Sequence, residues 1–320
     1  MKKYEDAPHC LFSIPRKELR IIAEITNRCN LRCKHCCTSS TSKGEDLDYS
    51  KLIEIVDSYN TSEIYITGGE PFLYRDLPLL LKELKKRDIF ISLATNGTLN
   101  PFYNNLRFLD RIQVSVDGLP EDHNQLRGDT FNTIVKFAQK IRKFVNLRIS
   151  FTIWKEKMKN DKYLWRYFEM IKRKFNPNEV IVNVVLPVGR ALNLSYNISP
   201  SKEIQLKQKA IFIGESIGLN VKSHRNKFFT QKYECPAASK LLFINSSGIY
   251  PCSWMAKVFY DIIPPSKNVE KMKVIFENNL LKLLRKKKFS GCPVMGYLFT
   301  GEIGGKDPLF KLDKEEQDYK

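Results

Sequence analysis

Two kinds of apolar spacing alternate along the first two-thirds of the chain. Short runs rich in β-branched residues occur at LRIIAEIT (19–26), EIYITGGEP (63–71), DIFISLATNG (88–97), RIQVSVDG (111–118), NLRISFTIW (146–154) and EVIVNVVLP (179–187). Between them the apolar residues recur at helical intervals, as in Leu52, Ile55, Val56 and Tyr59, and again in Leu77, Leu80, Leu81 and Leu84. TFNTIVKFAQKIRKF (130–144) predicts a further helix with Thr130 at its N-cap. Strands separated by helices imply parallel pairing through right-handed crossovers. Six such units predict an α/β fold with a partial (βα)6 TIM-like barrel rather than a closed eightfold one, over residues 1–218. A helix is expected at 201–218, after which the pattern changes. LLFINSSGIYPCSW (241–254) reads as two short strands about a Ser-Ser-Gly turn, and residues 219–320 are expected to form a small C-terminal α+β module.

In parallel α/β folds the ligand sits beyond the carboxyl ends of the strands. The unusual loops all fall there: GGEP after the second run, TNG after the third and SVDG at the end of the fourth. The segment CNLRCKHC (29–36) follows the first run and shares that mouth. With eight cysteines in 320 residues, chance would give roughly 0.005 matches to its Cys-x3-Cys-x2-Cys spacing, so the spacing is a signal. A zinc site would use Cys29, Cys33 and Cys36 with His35 or Cys37, but adjacent residues rarely reach one ion together. An iron–sulfur cluster normally takes four thiolates, and three would leave one iron open for a ligand.

Cys29, Cys33 and Cys36 after the first strand, followed by GGEP, resemble the radical S-adenosylmethionine superfamily. The resemblance covers roughly residues 19–190. It implies a [4Fe–4S] cluster on the three cysteines, with the methionyl end of S-adenosylmethionine on the open iron. Reductive cleavage would give a 5′-deoxyadenosyl radical that abstracts hydrogen from substrate. Gly68, Gly69, Glu70 and Pro71 correspond to the family segment whose backbone and acid hold the methionyl ammonium. Ser115 and Asp117 are similar to a polar pair that contacts the ribose and the methionyl carboxylate, although Asp117-Gly118 also reads as an ordinary turn. Asn96 and Gly97 match a loop lining the same pocket. Arg127 resembles an arginine beyond the ribose strand, and alone it reads as a solvated charge. Gly189, with Arg190, resembles a signature at which backbone meets the adenine. Cys37 is expected as a small buried thiol.

Cys235, Cys252 and Cys292 form a second set, and the segment GCPVMGYLFTGEIGGKDPLF resembles the close of a SPASM or twitch extension. That resemblance implies an auxiliary [4Fe–4S] cluster, against a reading as three buried thiols. Too few cysteines remain for two auxiliary clusters, and the fourth ligand stays open between substrate, a non-cysteine group and Cys10. The hydrogen donor and catalytic base are unassigned.

Composition narrows the partners. No run of ~18 apolar residues and no signal-peptide pattern occurs, so a cytoplasmic protein without a membrane span is expected. Lys and Arg outnumber Asp and Glu by 53 to 35, a net charge of +18. That charge suits an acidic leader peptide; it also suits the most distant alternative, a metal-containing nucleic-acid-binding protein, for which no basic stripe interleaved with aromatics and no recognised motif is found. The leading expectation is modification of a ribosomally made peptide or protein side chain by epimerisation, oxidation or cross-linking. Oxidation or rearrangement of a small cofactor precursor or sugar-like metabolite is the alternative. The family implies a reducing partner such as flavodoxin or ferredoxin. The short stretch before the first strand implies that a leader would be read by a separate peptide-binding protein or by the barrel itself.

Overall fold

The computed structural model describes residues 19–99, 103–194, 198–223, 237, 240–258 and 264–275. Cys10, Cys235 and Cys292 lie outside them, with most of the expected C-terminal module. The strands are β1 (Leu19–Thr26), β2 (Thr61–Gly68), β3 (Phe90–Thr95), β4 (Arg111–Ser115), β5 (Asn146–Ile153), β6 (Glu179–Val184), β7 (Val221–Ser223), β8 (Leu241–Asn245) and β9 (Gly248–Tyr250). They form one sheet in the order β7-β6-β5-β4-β3-β2-β1-β8-β9. Among these described strands only the β8–β9 pair is antiparallel. The six runs read from sequence are thus β1 to β6, in order. β7 extends that series, and β8 pairs directly with β1, so the hairpin predicted at 241–254 joins the barrel sheet edge-on.

The helices are α1 (Tyr49–Ser58), α2 (Leu77–Lys85), α3 (Tyr103–Leu106), α4 (Pro120–Arg127), α5 (Phe131–Ile141), α6 (Asp161–Lys174), α7 (Pro200–Ser216), α8 (Ser253–Val258) and α9 (Val269–Ile275). Their starts follow local chemistry. Asp48 caps α1 by accepting from the Ser50 amide at 2.9 Å, and Asn160 caps α6 from Lys162. Thr130 occupies the N-cap of α5 but makes no side-chain cap bond there. Its hydroxyl lies instead 3.1 Å from His123 Nε2.

The two faces of the sheet differ in chemistry. Ile64, Ile66, Leu93, Ile112, Val114, Ile149 and Val182 are fully buried in the apolar core that the helices complete. The alternate residues turn to the concave side, since side chains change face every residue. At its base, near the strand starts, Arg20 meets Glu63 at 3.2 Å and Arg148 meets Glu179 at 2.6 Å. Above these ion pairs lie Tyr65, Gln113, Ser150 and Asn183, which line a cavity. A closed barrel of this kind fills its centre with apolar layers; here polar side chains share the lining of a cavity at the carboxyl ends of the strands.

Candidate functional site

The cysteine loop leaves β1 at the mouth of this cavity. Cys29 and Cys33 are buried and Cys36 is partly so, and all three border the cavity. Backbone bonds fix the loop. The Cys29 amide donates to Thr41 O at 2.6 Å and Lys34 N to Leu126 O at 3.0 Å. Arg190 clamps it from the segment after β6, with Nε on Cys33 O (2.8 Å), Nη1 on Ser40 O (2.9 Å) and its own amide on Cys36 O (3.0 Å). Gly189 precedes it at φ +61°, and a Cβ there would stand 2.6 Å from both the Cys36 and Cys37 carbonyl oxygens. The glycine expected to open backbone toward adenine is therefore required by the packing of the cysteine loop.

GGEP serves the same loop. Gly69 N donates to Thr26 O and Glu70 N to Arg28 O, each at 2.8 Å, which ties the end of β2 to the backbone entering Cys29. A Cβ on Gly68 would lie 2.3 Å from Thr26 O and one on Gly69 2.2 Å from Arg28 O, distances no backbone tolerates. Replacing Gly69 by Ala is expected to displace the loop and lower iron retained per chain at least twofold after reconstitution, read by iron assay against wild type.

Gly68 and Gly69 reach the cavity wall, whereas Glu70 and Pro71 are buried behind it. Glu70 accepts from Thr95 Oγ1 (2.8 Å), Asn96 N (2.7 Å) and Phe72 N (3.2 Å). Burial pushes its carboxyl up to about 7, against the pull of those three donors. The acid expected to meet an ammonium thus organises the β2 and β3 ends, and through them Asn96. Asn96 does line the cavity, and its Nδ2 lies 2.9 Å from Asn30 Oδ1 and 3.9 Å from Cys29 Sγ.

Ser115, at the end of β4, also faces the cavity. Asp117 does not, because it is fully buried behind Arg127. Its carboxylate accepts from Arg127 Nε (2.6 Å) and Thr152 N (2.8 Å), and lies 3.3 Å from His35 Nε2. Burial opposes the Asp117 charge, but the Arg127 guanidinium, then His35, hold it well below the usual carboxylate range. Arg127 is consequently an enclosed cation, not a solvated one: its side chain is 11% exposed, and Nη1 lies 3.8 Å from Cys33 Sγ. Asp117 positions the arginine, and the arginine faces the thiols.

His35 shows a need for something more. Its Nε2 is also 3.2 Å from Arg127 Nη2, and burial and the guanidinium draw its pKa down. Its Nδ1 is buried and finds no partner among the described residues. Burial raises the Cys29 and Cys33 thiols. Cys36 is drawn below its ordinary value, despite burial, by hydrogen bonding from Thr38 and Ser40. Among the described residues no three His, Cys, Asp or Glu side chains converge as a single ion would need, so the mononuclear zinc arrangement lacks its geometry. Three thiols spread around a cavity of about 360 Å³, with an orphaned ring nitrogen beside them, fit a larger inorganic group and an organic ligand together.

Sequence reasoning missed several residues that the fold brings here. His35 carried no signal beyond its place in the cysteine loop. Gln113, Ser150 and Asn183 did carry one: polar residues at alternate positions of parallel strands, which ordinarily read as continuous apolar runs. Trp254 and Lys257 arrive on α8 from the far end of the chain. Cys37 lines the cavity rather than lying in the core, with Lys257 Nζ 3.8 Å from its sulfur. Cys252 is buried at the start of α8, where its sulfur accepts from Met255 N at 3.4 Å.

Residues 23–171 match the family model described as the Radical SAM superfamily. Across most of its length the chain is 26% identical to the AdoMet-dependent heme synthase of Methanosarcina barkeri (strain Fusaro / DSM 804), covering 90% of this chain and 95% of that protein. It is 24% identical to a probable GTP 3′,8-cyclase of Pyrococcus abyssi (strain GE5 / Orsay), covering 72% and 76%. In fold it is similar to Streptococcus suis SuiB bound to S-adenosylmethionine, at a TM-score of 0.68 and 17% identity over 87% of this chain and 74% of that one. A second similar structure is anSMEcpe with bound AdoMet and a peptide, at 0.60 and 19% over 81% and 80%.

Proposed function

The chain belongs to the radical SAM superfamily and is an iron–sulfur enzyme, and from that premise we propose that it abstracts a hydrogen atom from a side chain of a ribosomally made peptide held in the cavity. When bound, the [4Fe–4S] cluster and S-adenosylmethionine supply the 5′-deoxyadenosyl radical for that step. The observation that carries the reading is the continuity of the cavity, which runs from the three cysteines past Asn96 and Ser115 to Gln113, Ser150 and Asn183 in one enclosure.

In this reading Cys29, Cys33 and Cys36 hold the cluster, and Arg127 and Asn96 direct N–H groups toward Cys33 and Cys29. Gly68, Gly69, Asn96 and Ser115 present backbone and side-chain polar groups to S-adenosylmethionine. Glu70, Pro71, Asp117 and Gly189 act one layer back, by fixing the groups that touch it. An auxiliary cluster on Cys235, Cys252 and Cys292, in a module over 219–320, remains part of the proposal, as do a flavodoxin or ferredoxin reductant and a cytoplasmic location. Among the described residues no helix is long and apolar enough to cross a membrane.

The similarity to solved proteins with bound peptides supports the peptide reading through the fold alone. A second reading, oxidation or rearrangement of a small cofactor precursor, is favoured by the match along nearly the whole length of the heme synthase. Reduced, reconstituted enzyme given S-adenosylmethionine and a cognate peptide should release 5′-deoxyadenosine and change the peptide's mass or stereochemistry. Release of 5′-deoxyadenosine with every peptide unchanged, but with a small precursor consumed, would replace the first reading by the second.

A further inference from the structure

We propose that Lys257 anchors an oxyanion of the substrate where α8 borders the cavity. This inference rests on the reading of the cavity as a substrate site. The argument begins with charge pairing. Removing an ammonium or guanidinium from water costs several kcal/mol, so enclosed cations normally meet a carboxylate. Two others bordering this cavity do so: Arg127 with Asp117 at 2.6 Å and Lys207 with Glu203 at 2.5 Å. Arg190 spends its donors on the carbonyls of the cysteine loop. Lys257 differs from all three.

Its Nζ has three N–H donors. Among the described residues the only hydrogen-bonding atom it meets is Cys37 Sγ, at 3.8 Å, and no carboxylate lies within 4.0 Å. The rings of Phe243 and Trp254 lie 5.7 and 5.9 Å away, which stabilises the charge without using the donors. After Cys37, Glu24 of β1 is the group whose charge acts most on Lys257, yet the two do not close into an ion pair. One Glu24 oxygen, Oε2, is buried with no partner among the described residues. Burial raises the Glu24 pKa against the pull of Lys257. The result is a half-buried cation at a cavity wall that, among the described residues, meets only the Cys37 sulfur. Elsewhere the same cavity is lined by the neutral hydrogen-bonding groups Tyr65, Gln113 and Asn183, and its acid, Glu203, is already paired with Lys207. That combination fits a polar substrate with one anionic group.

The same ammonium could instead balance the thiolates of the cysteine loop, and the test separates the two roles. Reconstituted holoenzyme is titrated calorimetrically with glutarate, a glutamate-containing pentapeptide and inorganic phosphate. S-adenosylmethionine is present throughout, so its own carboxylate is already accommodated. Wild type, Lys257→Met and Lys257→Arg are compared, with iron per chain and the cluster absorption spectrum measured on each. The expected result is that at least one probe binds wild type, roughly ten- to a hundredfold more weakly to Lys257→Met, with recovery in Lys257→Arg and iron unchanged. The probe that responds identifies the source: a free acid, a peptide or a phosphorylated metabolite. Equal affinity in wild type and Lys257→Met, no binding of any probe to wild type, or a loss of iron confined to Lys257→Met would overturn the assignment. Formation of 5′-deoxyadenosine by wild type, assayed in parallel, tests the enzymatic reading independently of these outcomes.

Discussion

Replacing Cys29, Cys33 and Cys36 together by alanine should remove about four iron atoms per chain and abolish 5′-deoxyadenosine formation, because a [4Fe–4S] cluster held by three thiolates cannot persist without them. The measurement is iron and sulfide per chain after anaerobic reconstitution, alongside turnover of S-adenosylmethionine. About eight iron atoms falling to about four would support the auxiliary cluster expected on Cys235, Cys252 and Cys292. About four falling to none would leave one cluster and move weight to the small-molecule reading. Iron retained in full by the triple variant would contradict the assignment of the cysteine loop. The loop should keep its backbone path in the variant, since Arg190 and Thr41 hold its carbonyls and amide rather than its side chains.

The second large effect is expected at Asp117, which touches no part of the cavity surface. Asp117→Asn would leave Arg127 enclosed without its anion, and breaking a buried pair from one side costs about 3–5 kcal/mol. For a chain of this size that is a melting temperature lower by roughly 5–10 °C. Pairing the change with Arg127→Met should recover part of the loss, because an apolar replacement leaves no stranded charge. The pH dependence has a definite sign. Folding lowers the Asp117 pKa, so its contribution is complete above the unfolded carboxyl value of about 3.9 and is lost as pH falls below it toward the folded value. The gap in melting temperature between wild type and Asp117→Asn should therefore be constant near neutrality and narrow below about pH 4. A gap that stays constant into strong acid would show that the carboxylate's charge is not what holds the arginine.

Both predictions separate residues that carry chemistry from residues that place them, a distinction the sequence blurred. The ligand contacts at GGEP, Asp117 and Gly189 are what the family resemblance implies, and Asp117-Gly118 reads equally as a turn. The structure puts Gly68 and Gly69 against the Thr26 and Arg28 carbonyls, and Gly189 against those of Cys36 and Cys37. Their lack of a Cβ is required by the protein's own backbone. Glu70 and Asp117 spend their oxygens on Thr95, Asn96, Thr152 and Arg127.

The sequence by itself determined the order and type of β1 to β6, the parallel architecture and the cysteine loop at its mouth. These follow from local information: apolar periodicity, the run of strand and helix signals, and a cysteine spacing too dense for chance. Only the tertiary structure decided which residues face one another across the mouth. Asp117 meets Arg127 and His35 at separations of 10 and 82 positions, and Lys257 reaches Cys37 across 220. Such meetings depend on sheet order, above all on the pairing of β8 with β1, which carries α8 back to the cysteine loop. No periodicity within a segment encodes that pairing, because it is set by which strand edge remains open once the first seven strands have joined.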